Sequence, residues 1–438
     1  MFKIDTDILN TILYRGWMSL SGLIMLITIP YWLTAEEQGY YYFFFSILSA
    51  QVFFELGLNQ IVLQRLSRSY AHLKLDAKNG VTGPIKHVNK FLCIVQLSSA
   101  WYRNISILFF FTATIYGSYF LYTFDGMLVR EWLPVLVILM LFVSLGIYQS
   151  IRLTIHQSML RVAKVAKIRL IQSIVGYSIL LIAIYYFDIG LIGAVILPLV
   201  SFLIIGIWLL INIKNNKQKF DLNTKVTWKK DFWPLQSRMA LSWVAGYFTS
   251  QLMIPFVFQY HGPEIAGQLG LSIAIYSSIL ALSLSFIYSK IPSISVYISK
   301  GEYDKAYSFF KELISKSMIF ILLLVAIFLM SVVILQDDYK YIFSRLPELD
   351  VLLFLGVVTI ANAFIFSIGA YLRVFNIEPM INVSIVMAIL SIFNIIIFSS
   401  SSITTLMMFY AIIVVFIGVP WTILVLKRIQ KSKCYYEN

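Results

Sequence analysis

Residues 8–67 read ILNTILYRGWMSLSGLIMLITIPYWLTAEEQGYYYFFFSILSAQVFFELGLNQIVLQRLS. Two long apolar segments flank a short acidic turn, Thr34-Ala35-Glu36-Glu37-Gln38-Gly39. Each segment exceeds the roughly 20 residues that carry a helix across a bilayer core. Yet the first holds Arg15 and the second holds Glu55. A charge at the centre of a membrane helix costs about 2.5–3.5 kcal/mol on insertion scales, so both placements need a reason. An antiparallel hairpin brings the two residues to similar depth, where they pair or line one wet cavity. Thr11, Arg15, Ser19 and Gly22 share one helical face, and so do Gln51, Glu55 and Asn59. Polar stripes on apolar helices are how transport pathways are lined.

The same order recurs later. Arg238-Met239-Ala240-Leu241-Ser242 echoes Arg15-Gly16-Trp17-Met18-Ser19, and Arg238, Ser242, Gly246 and Thr249 make a further polar stripe. Gln251 extends this pathway-lining set. Pro255 stands where Pro30 stood, and Gly262-Pro263-Glu264-Ile265-Ala266-Gly267 stands where Ala35-Glu36-Glu37-Gln38-Gly39 stood. Repetition of arginine, helix, proline, glutamate and glycine in one order indicates two homologous halves.

Composition sets the class. The chain has 438 residues, 60% hydrophobic and 13% charged, with a mean hydropathy of +0.83. That is an integral membrane protein, read as all-α with twelve transmembrane helices. The expected spans are 8–33, 40–63, 104–124, 134–151, 170–187, 191–213, 232–258, 265–287, 317–335, 351–372, 380–398 and 403–426. Residues 86–103, and the stretch before 317, are expected to be amphipathic helices along the membrane surface. The halves are 1–213 and 232–438, joined by a basic linker, 214–231, with six lysines. Six spans per half makes the repeats parallel, with the substrate route in the cleft between them.

The net charge is +13. With the N-terminus inside, only Arg130, Lys340 and Arg345 of the 34 Lys and Arg fall outside. This asymmetry orients a multi-pass chain with both termini in the cytoplasm, and basic loops against anionic lipid account for the charge without nucleic acid. No removable leader is read at the start. Cys93 and Cys434 both fall inside, so no disulfide is expected.

No phosphate-binding loop of the form G-x-x-x-x-G-K-[ST] is present, nor H-E-x-x-H, and His72, His87, His156 and His261 are scattered. Neither a cofactor nor a metal is expected. Asp5-Thr6-Asp7 formally matches a sugar-nucleotide acidic pair but is too short and terminal to carry one.

The buried charges leave two readings open. Arg15 and Arg238 either line the cavity or snorkel to headgroups. Glu55 is either half of an ion pair or a coupling or gating group. Lys290, Arg152 and Arg373 lie at inner helix ends, where they either anchor the helices or ring a substrate-binding mouth.

Glu37-Gln38-Gly39-Tyr40-Tyr41-Tyr42, followed by Phe53-Phe54-Glu55-Leu56-Gly57-Leu58, resembles the O-antigen flippases of the Wzx family. These form part of the polysaccharide exporter branch of the multidrug/oligosaccharidyl-lipid/polysaccharide (MOP) superfamily. Gly262–Gly267 and Gly301–Ala306 resemble the matching segments of that branch's second half. The resemblance implies two bundles in a V, alternating access, and an undecaprenyl-diphosphate-linked oligosaccharide as substrate. It implies a bacterial inner-membrane location, with the pathway's polymerase and chain-length regulator as partners. Arg15 and Arg238 would handle the diphosphate. Three other readings remain: an interaction subunit with no transport of its own, which the pathway stripes disfavour, a multidrug antiporter of the same superfamily, which favours an anionic cavity, and a polytopic polymerase or glycosyltransferase. The last needs a large external loop, and the longest here is 336–350.

Overall fold

The computed structural model describes residues 6–70, 73–76, 80–124, 126–212, 227–228, 232–375 and 380–434. Nearly all of them are helical. The first span is α1 (Thr6–Trp32). Thr34 caps the next helix through a reciprocal box: the Glu37 amide donates to Thr34 Oγ1 at 3.2 Å and the Thr34 amide donates to Glu37 Oε2 at 2.9 Å. The acidic turn is therefore a helix start.

The second span is broken. It runs through α2 (Ala35–Ser49), α3 (Val52–Glu55) and α4 (Leu58–Tyr70), with a 44° bend between the stretch ending at Glu55 and α4. Leu56 (φ 48°) and Gly57 (φ 69°) make the break in left-handed backbone. For leucine that conformation is strained, by about 1–2 kcal/mol. The 74–82 stretch is a small hairpin, β1 (Lys74–Asp76) against β2 (Gly80–Thr82) in antiparallel register Lys74↔Thr82. It is a minor departure from an all-α chain.

The surface helix expected at 86–103 does not stand apart. It continues into the third span as α5 (Ile85–Tyr122), 38 residues long. Amphipathic periodicity identifies the buried face of a helix but not where its axis turns, so the sequence alone separates the two. Next come α6 (Val129–Ser158), α7 (Val162–Tyr186) and a 3-10 turn (Gly190–Val195) leading into α8 (Ile196–Ile211).

The later part runs α9 (Trp233–Ser250), α10 (Met253–His261), α11 (Pro263–Tyr288) and α12 (Ile291–Ser299). The ninth span likewise absorbs its expected surface helix as α13 (Tyr303–Leu335). A short α14 (Lys340–Phe343) precedes α15 (Leu349–Arg373), α16 (Ile381–Phe398) and α17 (Ile403–Ile413). A π turn (Val414–Gly418) joins α17 to α18 (Val419–Cys434).

Among the described residues nine helices are long and apolar enough to cross a membrane, or ten with the bent second span. On α13 the exposed side chains include Ile319, Leu322, Leu323, Ile327, Met330 and Ile334. A continuous apolar surface of this kind is stable against lipid rather than water. The chain is a multi-pass membrane protein.

Contacts group the chain into two compact units. One comprises 1–21 and 47–243, and the other 22–46 and 244–438. Their limits fall inside α1, α2 and α9, and most of the 214–231 linker lies outside the described residues. In the first unit, Trp17 of α1 donates to Ser173 Oγ at 2.9 Å and packs edge-on against Tyr177, both on α7. Leu153, Val165, Ile168, Ile205 and Leu209 form an apolar core between α6, α7 and α8. In the second unit, α11, α13 and α15 pack closely. Tyr276 donates to the Leu352 carbonyl at 2.6 Å, and the Ser283 and Ser317 hydroxyls meet at 2.7 Å. Small polar residues let membrane helices approach and bond across their interface.

Candidate functional site

Two polar sites lie inside the helical units. In the first, the broken span places Glu55 at the end of α3, 9% exposed. The α4 that follows carries Asn59 one turn on. Gln51 Nε2 and Asn59 Nδ2 both donate to the Glu55 carboxylate. Asn59 Nδ2 also donates to Ser150 Oγ at 3.2 Å, and Thr154 Oγ1 donates to Asn59 Oδ1 at 3.0 Å. Tyr102 of α5 is fully buried beside Glu55 and the Asn59 backbone. The stripe of Gln51, Glu55 and Asn59 is thus joined to a second stripe on α6. A break in a spanning helix frees backbone groups, and it is tolerated where protein or water surrounds it.

Ser150 and Thr154 are absent from the sequence-based set, although their i, i+4 spacing in an apolar span is a visible polar stripe. Arg152 stands in that set instead. At 100° per residue it points away from both neighbours. It donates from Nη2 to the Tyr148 hydroxyl at 2.7 Å and lies 4.9 Å over the Tyr148 ring. It does not join the Glu55 cluster.

The second site is a cavity of about 300 Å³ within the second unit. Thr249 and Gln251, at the end of α9 and just beyond it, line one side. Tyr276 and Ser277 of α11, Thr359 and Asn362 of α15, Ser384 of α16 and Tyr410 of α17 supply the other polar groups. Asn362 hydrogen-bonds Tyr410. Met253, Met380 and Met387 give a soft apolar remainder. The π turn backs this wall: a Cβ on Gly418 would sit 3.1 Å from Ile365 and 3.3 Å from Met387, both cavity residues. Among the described lining residues none is charged. Gln251 and Thr249 apart, these positions are not identified from sequence, because they come from five distant segments.

Lys290 caps α12 and is exposed, and Arg373 ends α15 and is exposed; neither lines the cavity. Arg15, Ser19, Arg238 and Ser242 lie on helices α1 and α9, but their side chains fall outside the described residues. The suggested Arg15–Glu55 pair falls there too. Among the described residues no group of three or more His, Cys, Asp or Glu is arranged to hold a metal.

Comparison with protein-family models gives no match, and neither does comparison with curated proteins. Solved structures do match, over nearly the whole chain, and they define a class: transporters of the MATE and MOP fold. An inward-facing multidrug-resistance MATE transporter of the MOP superfamily superposes with a TM-score of 0.67 at 12% identity, covering 96% of each chain. The MATE multidrug transporter DinF-BH gives 0.60 at 12% identity, over 96% of this chain and 94% of that one. A MOP superfamily transporter from Pyrococcus furiosus, described as having a binding pocket of reverse polarity, gives 0.56 at 12% identity, over 98% and 97%. The chain has the fold of these transporters.

Proposed function

We propose that the chain is a transporter that moves a lipid-linked oligosaccharide across a bacterial inner membrane by alternating access. The observation that carries the substrate class is the second-unit cavity. It offers amides and hydroxyls from Gln251, Asn362, Thr249, Thr359 and Ser384, phenols from Tyr276 and Tyr410, and no charge among its described lining residues. Neutral donors and acceptors beside aromatic rings suit sugar hydroxyls, whereas an organic cation selects a carboxylate. The carrier would be undecaprenyl diphosphate, its prenyl tail remaining in lipid. Arg15 and Arg238 would hold the diphosphate, since a guanidinium grips phosphate oxygens bidentately. No covalent bond is made or broken, so no enzyme activity is assigned. The two sequence halves act as the moving bundles, with both termini cytoplasmic. Membrane lipids, and the polymerase and chain-length regulator of the same pathway, are the partners.

A second reading rests on Glu55. A buried carboxylate held by Gln51 and Asn59 suits a coupling ion, as in a cation-coupled multidrug antiporter. The fold accommodates both: among its neighbours are a multidrug transporter and one whose pocket polarity suggests a different function. One experiment separates the readings. The chain is expressed in a host lacking its own O-antigen flippase and in a host lacking its main drug exporters. Restored surface polysaccharide with unchanged drug susceptibility supports the flippase. Drug resistance without polysaccharide replaces it with the antiporter.

A further inference from the structure

The last span is wound in two registers. Along α17 the bonds are those of an α-helix, and the Val414 amide donates to the Tyr410 carbonyl. One turn on, the Val419 amide donates to the Val414 carbonyl, five residues back. Val414–Gly418 therefore holds one residue more than an α turn, an arrangement that recurs at functional sites. The sequence supplies a cause. Pro420 follows, and its ring would strike the carbonyl four residues back, that of Phe416, without an N–H to offer it. A wider turn before the proline relieves that clash. The Gly418 carbonyl is taken by the Thr422 hydroxyl at 2.8 Å.

This turn belongs to the cavity wall of the second unit. Tyr410, whose carbonyl ends the α register, lines the cavity and is hydrogen-bonded by Asn362. Gly418, at the far end of the turn, is buried and meets Ile365 of α15 and Met387 of α16, two further lining residues. Ile412 and Phe416 point the other way along the same span and are exposed. One helix thus separates the cavity from lipid here.

Passing between the registers is easy for the backbone. Ile413 (φ −58°, ψ −49°) and Val419 (φ −65°, ψ −52°) flank the turn in ordinary right-handed conformation, so the α form lies in the same basin. The effect on the cavity is large. Each residue turns an α-helix by about 100°. Shedding the extra residue rotates α17 against α18 by about that much, which carries the Tyr410 hydroxyl off the cavity wall.

We propose that the π turn is a switch in the wall of the substrate cavity. In the π form Tyr410 faces the bound polar head, and conversion to α-helix withdraws it and releases the head. The proposal rests on the reading of that cavity as the substrate site.

The test uses the full-length chain and Pro420→Ala, which restores the missing N–H and removes the ring. Hydrogen exchange followed by mass spectrometry reads the Val414–Gly418 amides in detergent, and a thermal scan reads stability. Transport is read in whichever of the two hosts above the wild-type chain serves. In Pro420→Ala those amides should exchange at least about tenfold more slowly, with an unfolding midpoint equal or higher. Transport at native membrane level should fall at least about fivefold. Pro420→Gly restores the N–H without a strong helix former and should keep more transport than alanine. Pro198→Ala, in the first turn of α8, is the control and should change neither exchange at the π turn nor transport. Unchanged exchange in Pro420→Ala would overturn the switch. Slowed exchange with full transport would make the turn a fixed accommodation of the proline and overturn it equally. Wild-type transport in neither host would instead fell the cavity reading, and the switch with it, whatever the exchange rates.

Discussion

Gly39 and Gly267 meet backbone to backbone: a Cβ on Gly267 would lie 2.8 Å from the Gly39 amide nitrogen, and one on Gly39 would run into the Pro263 carbonyl. They are the matched glycines of the repeated turns, one at the start of α2 and one at the start of α11. Beside them Gln38 Nε2 donates to the Gly267 carbonyl at 2.9 Å. One turn further, the Tyr42 ring lies where a Cβ on Gly270 would sit. Absent side chains at a helix crossing give backbone approach, the means by which membrane helices associate tightly.

Gly39→Ala should therefore destabilise strongly, by about 3 kcal/mol, because backbone rather than a flexible side chain must move. Gly267→Ala should cost less and Gly146→Ala nothing, since no atom lies within 4 Å of a Cβ at Gly146. Thermal unfolding of purified protein in detergent ranks the three. Equal midpoints for Gly39→Ala and Gly146→Ala would deny the close crossing.

Much of this architecture is local and legible in the chain itself. Hydropathy marks the spans, and the Thr34 to Glu37 spacing marks a helix start. The repeated Glu and Gly mark the turns whose glycines meet. What escapes is of another kind. Nothing before residue 103 says whether an amphipathic helix lies flat or runs on into α5, since periodicity reports a face and not an axis. The break at Leu56 has no proline to announce it, only Gly57. Asn362, Ser384 and Tyr410 share a cavity with Gln251 only because four separate segments fold together, and no spacing within one segment encodes that.

The break itself makes a prediction. Leu56 stands at φ 48°, strained for a residue with a Cβ, whereas Gly57 stands at φ 69° at little cost. Leu56→Gly should leave the fold as stable or gain up to about 1 kcal/mol. Gly57→Ala should lose about 1 kcal/mol. The sign of the two midpoint shifts decides it, and a loss from Leu56→Gly as large as that from Gly57→Ala would remove backbone strain from the account.

Glu55 ties the break to α6. Glu55→Ala leaves the Gln51 and Asn59 amides without their shared acceptor and should cost about 1–3 kcal/mol. Glu55→Gln keeps the size and one acceptor oxygen, so folded protein should recover. Transport then separates the roles. If Glu55 serves only structure, the Gln variant exports normally at native abundance. If it couples an ion, the Gln variant folds and does not transport, or transports independently of the ion gradient.

Topology offers a direct check on orientation. Single cysteines at Glu36, Asp188, Glu264 and Asp338 should react with an impermeant thiol reagent in whole cells. Cysteines at Lys86 and Lys300 should react only after the membrane is opened. Glu264 is preferred to Gly262, and Lys300 to Gly301, because both glycines hold positive φ that a cysteine would strain. Labelling of Lys86 from outside would invert the assigned orientation.

The last prediction concerns the arginines on the two repeated stripes. If Arg15 and Arg238 hold the diphosphate, each neutralised variant should reach normal membrane level yet export little surface polysaccharide. Lysine keeps the charge but loses the planar fork that grips two phosphate oxygens at once, so it should rescue in part. The order at both positions is then wild type, lysine, and last glutamine or alanine. Lipid-linked repeat units should accumulate on the cytoplasmic face in the alanine variants. An arginine that merely snorkels to headgroups predicts another pattern, in which any variant that still inserts exports normally. Full surface polysaccharide from an Arg15→Ala, Arg238→Ala double variant at native abundance would remove both residues from the transport mechanism. The polar cavity of the second unit would then stand alone as the substrate site.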